Sequence, residues 1–248
     1  ATILDKAISH KHSTEEKKQA LLNRIKPTIS YDDLSNCDLI IEAVFENREI
    51  KAKCTEQSEA VIPNTAVYAS NTSTLPITGL AKASTRPNQF IGLHFFSPVD
   101  KMPLVEIIMG EQTDDATLAK AFDYVLQIGK TPIVVNDSRG FYTSRVFGTY
   151  VSEGVAMLGE GVHPRGIEVA GMKTGMPMPP LALQDEVSLS LALHVSEQQQ
   201  LDMQAEGKPI AVHPSYEILK TLVKEHNREG KKNGKGFYEY PDKGEKYL

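Results

Sequence analysis

Nine residues, CDLIIEAVF at 37–45, form a β-branched apolar run with few charges. Such a run predicts a strand covered on both faces, which only a sheet clad in helices provides. NREIKAKCTEQSEAVI (47–62) follows as an amphipathic helix ending before Pro63, and TAVYASN (65–71) predicts a second strand. TGLAKAS reads as helical, and QFIGLHFF (89–96), LVEIIMG (104–110) and TPIVVND (131–137) predict further strands, with a helix over 114–128 between the last two. Strands alternating with helices of about a dozen residues predict an α/β layer with a parallel sheet.

The periodicity changes after Asp137. From GFYTSRVFGTYVSEGVAMLGEG (140–161) onward the apolar spacing is three and four, predicting helices there and over 165–174, 180–203 and 214–227. GMPMPP (175–180) is a loop, and GFYEY (236–240) is the one strand-like segment of this half. The expected division is therefore an α/β domain over 1–137 and an all-helical domain over 138–248. Near the start, STEEKKQALLNRI predicts a helix with Ser13 as N-cap and Glu16 closing a capping box.

Charge and composition exclude some functions. A formal net charge of −5 leaves no basic surplus to neutralise phosphates, so no nucleic-acid partner is expected. No apolar run reaches the roughly 18–20 residues of a membrane span, and the N-terminus lacks the layout of a signal peptide. The two cysteines, Cys37 and Cys54, fit no metal-ligand spacing, so free thiols in a reducing compartment and no bound metal are expected.

A chain leaving a buried parallel strand exposes its next residues at the carboxyl edge of the sheet, where ligands of open α/β folds bind. Glu46 and Lys51 follow the first strand and are candidates to touch a ligand, or else solvated charges in the first turns of a helix. ASNTST (69–74) follows the second strand, and its hydroxyls and amide suit a polar ligand or a plain turn. His94 and Glu106 are single ionisable groups in apolar strands. They read either as a base with its orienting carboxylate or as a satisfied core histidine and a strand acid.

Five segments, DLIIEAVFEN, ASNTSTLPI, RPNQFIGLHFFSPVDKMPLVEII, GKTPIVVNDSRGFYTSR and GKKNGKGFYEY, occur in an order that resembles the L-3-hydroxyacyl-CoA dehydrogenases. HFFSPVDKMPLVEII is most similar to the dehydrogenase section of multifunctional fatty-acid β-oxidation enzymes of the α-subunit type, where it is fused to an enoyl-CoA hydratase. The resemblance implies a Rossmann-type sheet followed by a helical domain, NAD as cofactor and a 3-hydroxyacyl-CoA substrate oxidised to a 3-ketoacyl-CoA. It implies that His94 is the catalytic base, Glu106 its carboxylate partner, and Ser73 a hydrogen-bond donor to the substrate oxygen. Glu46, Lys51 and Asn71 match positions at the nicotinamide half of the NAD site, where Ser73 also stands. Ser144 occupies the position of an asparagine near the catalytic histidine in simpler members, and Ser97 replaces the asparagine of the commoner HFFNP. A homodimer, or association with other β-oxidation domains, follows from the same resemblance. So does a cytoplasmic location in a bacterium, or a mitochondrial or peroxisomal one in a eukaryote.

Two departures from that pattern stand out. The 248 residues contain no G-x-G-x-x-G, and residues 1–26 resemble the helical segment that follows the family's first βαβ unit. A sheet lacking that unit and its pyrophosphate loop is expected to bind NAD weakly and to turn over poorly. The helical half has Pro179 where the family usually has glycine, and DEVSLS (185–190) in place of DEVGLD. Two other readings compete with the dehydrogenase. One is a non-catalytic fragment retaining dimerisation and weak acyl-CoA binding. The other is a related NAD-dependent dehydrogenase acting on hydroxybutyryl-CoA or a sugar acid.

Overall fold

The computed structural model describes residues 2–205, 207, 209–210, 212–241 and 245–248. It divides into two compact units, Ala1–Phe141 and Tyr142–Leu248.

The first unit is built on five strands, β1 (Leu39–Glu42), β2 (Val67–Ser70), β3 (Phe90–Phe95), β4 (Leu104–Met109) and β5 (Thr131–Asn136), in the spatial order β1-β2-β3-β4-β5. Short helices α1 (Thr2–Ser9) and α2 (Glu15–Leu22) precede them, α3 (Arg48–Glu59) joins β1 to β2, α4 (Ile77–Leu80) lies between β2 and β3, and α5 (Asp115–Gln127) joins β4 to β5. Helix starts are fixed by side-chain caps, which satisfy N–H groups that have no intrahelical partner. Asn47 Oδ1 accepts from the amides of Glu49 and Ile50, and the Asp114 carboxylate accepts from the amide of Thr117. The cap of α2 is Thr14, whose hydroxyl accepts from the Lys17 amide, and not the expected Ser13. The first turn begins one residue later than the capping-box pattern indicated, so Glu16 is not at the third helical position and cannot close the box.

Alternation of side chains sorts the sheet into two faces. Val67, Ala69, Ile91, Leu93, Val105 and Ile107 pack with Ala121 and Val125 of α5. Tyr68, Phe90 and Ile108 face the other way and pack with Ile62, Ile77, Leu80 and Phe141. Gly92 belongs to this second face, and a Cβ there would come within 2.8 Å of Ile77 and 2.9 Å of Ile108. Its bare backbone lets α4 lie directly on the sheet.

Two expectations need correction. Strand β1 is shorter than the apolar run, and Leu39, Ile40 and Ile41 are only half buried, because β1 is an edge strand with one neighbour rather than a fully covered one. The sheet is also not wholly parallel: β1-β2, β2-β3 and β4-β5 are parallel, but β3 and β4 run antiparallel. The connection at 96–103 is too short for a parallel crossover, which takes a dozen or more residues, so the chain folds straight back.

The second unit is helical: α6 (Thr143–Gly159), α7 (Pro164–Lys173), α8 (Pro180–Val187), α9 (Leu189–Ala205) and α10 (Ser215–Lys220), the last running into a π-helical turn at Thr221–Glu225. The helix expected over 180–203 is broken at Ser188, whose φ of 101° is in the region that favours glycine. GFYEY is not a ladder strand. Around it are isolated bridges, Lys235 to Glu239 and Glu239 to Tyr247. The Phe237 and Tyr238 amides instead donate to the two oxygens of buried Asp185, at 2.8 and 2.9 Å, and the Tyr240 hydroxyl donates to the same carboxylate. This clamp holds the tail on a core of Val155, Ile167, Leu181, Leu189 and Leu219.

Candidate active site

Parallel strands β1, β2 and β3 end at one edge of the sheet, and the polar residues singled out in the first unit gather there or in the loops beyond it. Antiparallel register sets His94 directly opposite Glu106, so both side chains leave the same face. His94 Nδ1 lies 2.7 Å from Glu106 Oε2, with the two side chains 7% and 0% exposed. Phe96 and Phe141 stand against the imidazole, their ring centroids 4.4 and 6.0 Å away. An ionised Glu106 accepts a proton-bearing Nδ1, which leaves the lone pair on Nε2.

On the same face, two residues before His94, Gly92 is level with Ser70 of β2, which is level with Glu42 of β1. Strand geometry puts Ser70 roughly 8 Å from His94, Cα to Cα. Here a second polar group is assembled. The Ser70 hydroxyl donates to Glu42 Oε2 at 2.8 Å, and Lys51 Nζ of α3 donates to Glu42 Oε1 at 2.9 Å. Both charged side chains are buried, at 1% and 2% exposure. The same ammonium lies 3.3 Å from Glu46 Oε2 and 3.4 Å from the Val44 carbonyl. Lys51 is therefore not a solvated helix charge.

Glu46 Oε1 in turn gathers the loop after β2: the Thr72 hydroxyl, the Thr74 hydroxyl at 3.0 Å, and the Ser73 and Thr74 amides, each at 3.1 Å. Partial burial pushes the Glu46 carboxyl up, but the Thr72 hydroxyl, the Lys51 ammonium and the Thr74 donors outweigh it and hold it below the ordinary glutamate value. Asn71 ties this loop to β3, its Oδ1 accepting from the Phe95 amide at 2.8 Å. Ser73 is exposed, with its amide held by Glu46.

Of the remaining candidates, Ser97 is exposed in the connection after β3, before a cis peptide bond to Pro98. Ser144 is half buried in the first turn of α6, in the second unit. Glu42 did not figure among the candidates read from the sequence, and Ser70 and Thr72 figured only as hydroxyls of ASNTST, though an acid inside the apolar run DLIIEAVF was a visible signal. Among the described residues, no group of three or more His, Cys, Asp or Glu side chains could hold a metal, and no helix is long and apolar enough to cross a membrane.

Residues 1–138 match the NAD binding domain of 3-hydroxyacyl-CoA dehydrogenase, and residues 140–240 match the C-terminal domain of the same enzymes. The chain belongs to the 3-hydroxyacyl-CoA dehydrogenase family. Members of this family are oxidoreductases whose cofactor is NAD. An (S)-3-hydroxybutyryl-CoA dehydrogenase from Ralstonia eutropha superposes with a TM-score of 0.86 at 38% identity, over 97% of this chain and 84% of that one. A 3-hydroxybutyryl-CoA dehydrogenase from Escherichia coli gives a TM-score of 0.87 at 29% identity, over 100% of this chain and 52% of that one. The fatty acid oxidation complex subunit alpha of Acinetobacter baylyi is 41% identical over 238 residues, 96% of this chain and 32% of that protein. The corresponding subunit of Pseudomonas paraeruginosa is 40% identical over 240 residues, 97% of this chain and 33% of that protein. The chain thus spans about a third of the length of these curated relatives.

The residues at this edge offer both polar and apolar surface to such a cofactor. They offer a loop whose amides are locked by Glu46, the exposed Ser73, and the Phe45 ring, 84% exposed, next to Glu46 in the chain. No glycine loop for the pyrophosphate is among the 248 residues.

Proposed function

We propose that this chain carries out the NAD-dependent oxidation of an L-3-hydroxyacyl-CoA to the 3-ketoacyl-CoA within fatty-acid β-oxidation. The observation that carries the reading is the buried His94–Glu106 pair, 2.7 Å apart across two strands at the edge where ligands of such sheets bind. In this reading Nε2 of His94 takes the proton of the substrate 3-hydroxyl as the C3–O bond becomes a carbonyl. The Glu106 carboxylate holds the tautomer and stabilises the imidazolium that forms. Ser73 donates its hydroxyl to the substrate oxygen, and Ser144 keeps the role that the family resemblance gives its position. Glu46, Lys51, Asn71 and Ser97 line the nicotinamide side. NAD, when bound, accepts the C3 hydrogen with its electron pair.

The test is NADH oxidation driven by acetoacetyl-CoA, the reaction run in reverse. Turnover that disappears in His94→Gln supports the assignment. NADH binding without turnover of any 3-ketoacyl-CoA would favour the reading as a non-catalytic part of the family fold.

The helical unit is further proposed to pair two copies of the chain. Leu191 and Val195, one turn apart on α9, are 50% and 42% exposed, and Met172 of α7 is 45% exposed. Light scattering at micromolar concentration is expected to give twice the 27.4 kDa chain mass. A species at the single-chain mass would remove the dimer from this reading. The free thiols Cys37 and Cys54 support a reducing compartment, the cytoplasm of a bacterium or the matrix of a mitochondrion or peroxisome.

A further inference from the structure

Lys51 is one of the most deeply buried side chains of the first unit, and its ammonium has three acceptors within the chain: Glu42 Oε1, the Val44 carbonyl and Glu46 Oε2. An ammonium has three protons to give, so this set engages all of them. Glu42 is equally committed. One oxygen accepts from Lys51 and, at 2.7 Å, from the Val44 amide, and the other accepts from Ser70. The contacts thus form a continuous chain from the interior of the sheet to its ligand edge: Ser70, Glu42, Lys51, Glu46, then the Thr72–Thr74 loop. Of its members only Glu46 and Ser73 are exposed.

A buried ion pair is weak evidence for stability, because apolar residues of the same volume often serve as well. What it supplies is direction: Lys51 is anchored by the Glu42 carboxylate and the Val44 carbonyl, so its remaining proton points at Glu46. Glu46 then meets the loop with its other oxygen and accepts four hydrogen bonds from three successive residues. Glu42 and Ser70 also lie on the sheet face that carries His94 and Glu106, so the two polar groups share one frame.

We propose that Glu42 is a positioning residue of this site: through Lys51 it fixes Glu46, and through Glu46 it fixes the loop on which Ser73 stands. The inference rests on the reading of Glu46 and Ser73 as cofactor-facing and substrate-facing groups. Glu42 itself touches neither ligand. Its influence falls on how well the nicotinamide side is preformed, and it leaves the proton transfer at His94 alone.

The test combines two measurements on the protein carrying Glu42→Gln, Glu46→Gln or both. The first is the ¹⁵N amide signals of Ser73 and Thr74, which report their bonds to Glu46 without any ligand. Glu42→Gln is expected to move both signals toward their positions in Glu46→Gln. The second is steady-state kinetics with NADH and acetoacetyl-CoA. Glu42→Gln should raise KM for NADH about tenfold, the effect of losing one charge-assisted hydrogen bond, with kcat nearly unchanged. In the Glu46→Gln background the same substitution should add nothing, since its route of action is already cut. Unmoved amides, or a full additional KM effect in that background, would overturn the proposal. If Glu42→Gln does not fold, Glu42→Gln with Lys51→Met leaves no unpaired buried charge and must show the same amide shifts. If the parent protein shows no turnover, the dehydrogenase reading fails, and the amide signals alone decide the role of Glu42.

Discussion

An imidazole held at Nδ1 by a buried carboxylate has one nitrogen left for chemistry, and that is the whole case for His94 as a base. Replacing it with glutamine keeps the volume and loses the basicity. His94→Gln is expected to lower kcat by about 10²- to 10⁴-fold, while NADH affinity, followed by fluorescence, stays at the parent value. An equal loss in both would mark a histidine that only holds the strands together. Ser188 is a residue of the opposite kind, with no chemistry and an awkward backbone. At φ 101° its Cβ is strained where glycine would not be, and Ser188→Gly should stabilise the protein by about 1 kcal/mol, read as a rise in thermal midpoint. The position was visible in the sequence, where DEVSLS departs from the family's glycine. Glu42 was not recognised, although the argument that picked out His94 and Glu106, one ionisable group in an apolar strand, applied to it equally.

Elements were legible where their period was sustained. The 114–128 helix lies within one residue of its expected bounds and α3 starts one residue late and ends three early, because apolar spacing and an Asn or Asp cap point the same way. The direction of β4 was not legible from strand pattern, because both its faces are covered and nothing in LVEIIM distinguishes parallel from antiparallel. Only the shortness of the connection before it carried that information. The tail was misjudged for another reason: GFYEY has strand composition, but its amides are claimed by a carboxylate 52 and 53 residues earlier, which no local window can see. That clamp leaves no room at Gly236, where a Cβ would collide with Asp185 Oδ1. Gly236→Ala is therefore expected to destabilise the helical unit by about 2–3 kcal/mol, measured by thermal unfolding. An unchanged midpoint would show that the tail yields easily.

Over the whole molecule, acid should act first where an ionised carboxylate is holding loops. Glu46 titrates below the ordinary glutamate value of about 4.3, so its stabilising contribution is present above that value and is lost as pH falls through the folded one. Denaturant unfolding across that range should show the parent losing stability more steeply than Glu46→Gln. Parallel slopes would mean that Glu46 is not linked to folding. The change of period after Asp137 predicted a helical domain beginning there, while the two compact units divide between Phe141 and Tyr142; the lines of contact within each unit were not legible, since they join residues far apart in sequence. The reversal of β4 has one further effect. In an antiparallel ladder the residue numbers of facing partners add to a constant, so His94 meets Glu106 by parity: a slip of one residue would offer the imidazole Val105 or Ile107, which point through the sheet to the other side. That register is held by packing as well, since Val105 and Ile107 are buried with Ala121 and Val125 of α5 on the opposite face. The turn at 96–103 can therefore lengthen or shorten without changing which acid serves the base, leaving that turn free to diverge while the proton chemistry stays where it is.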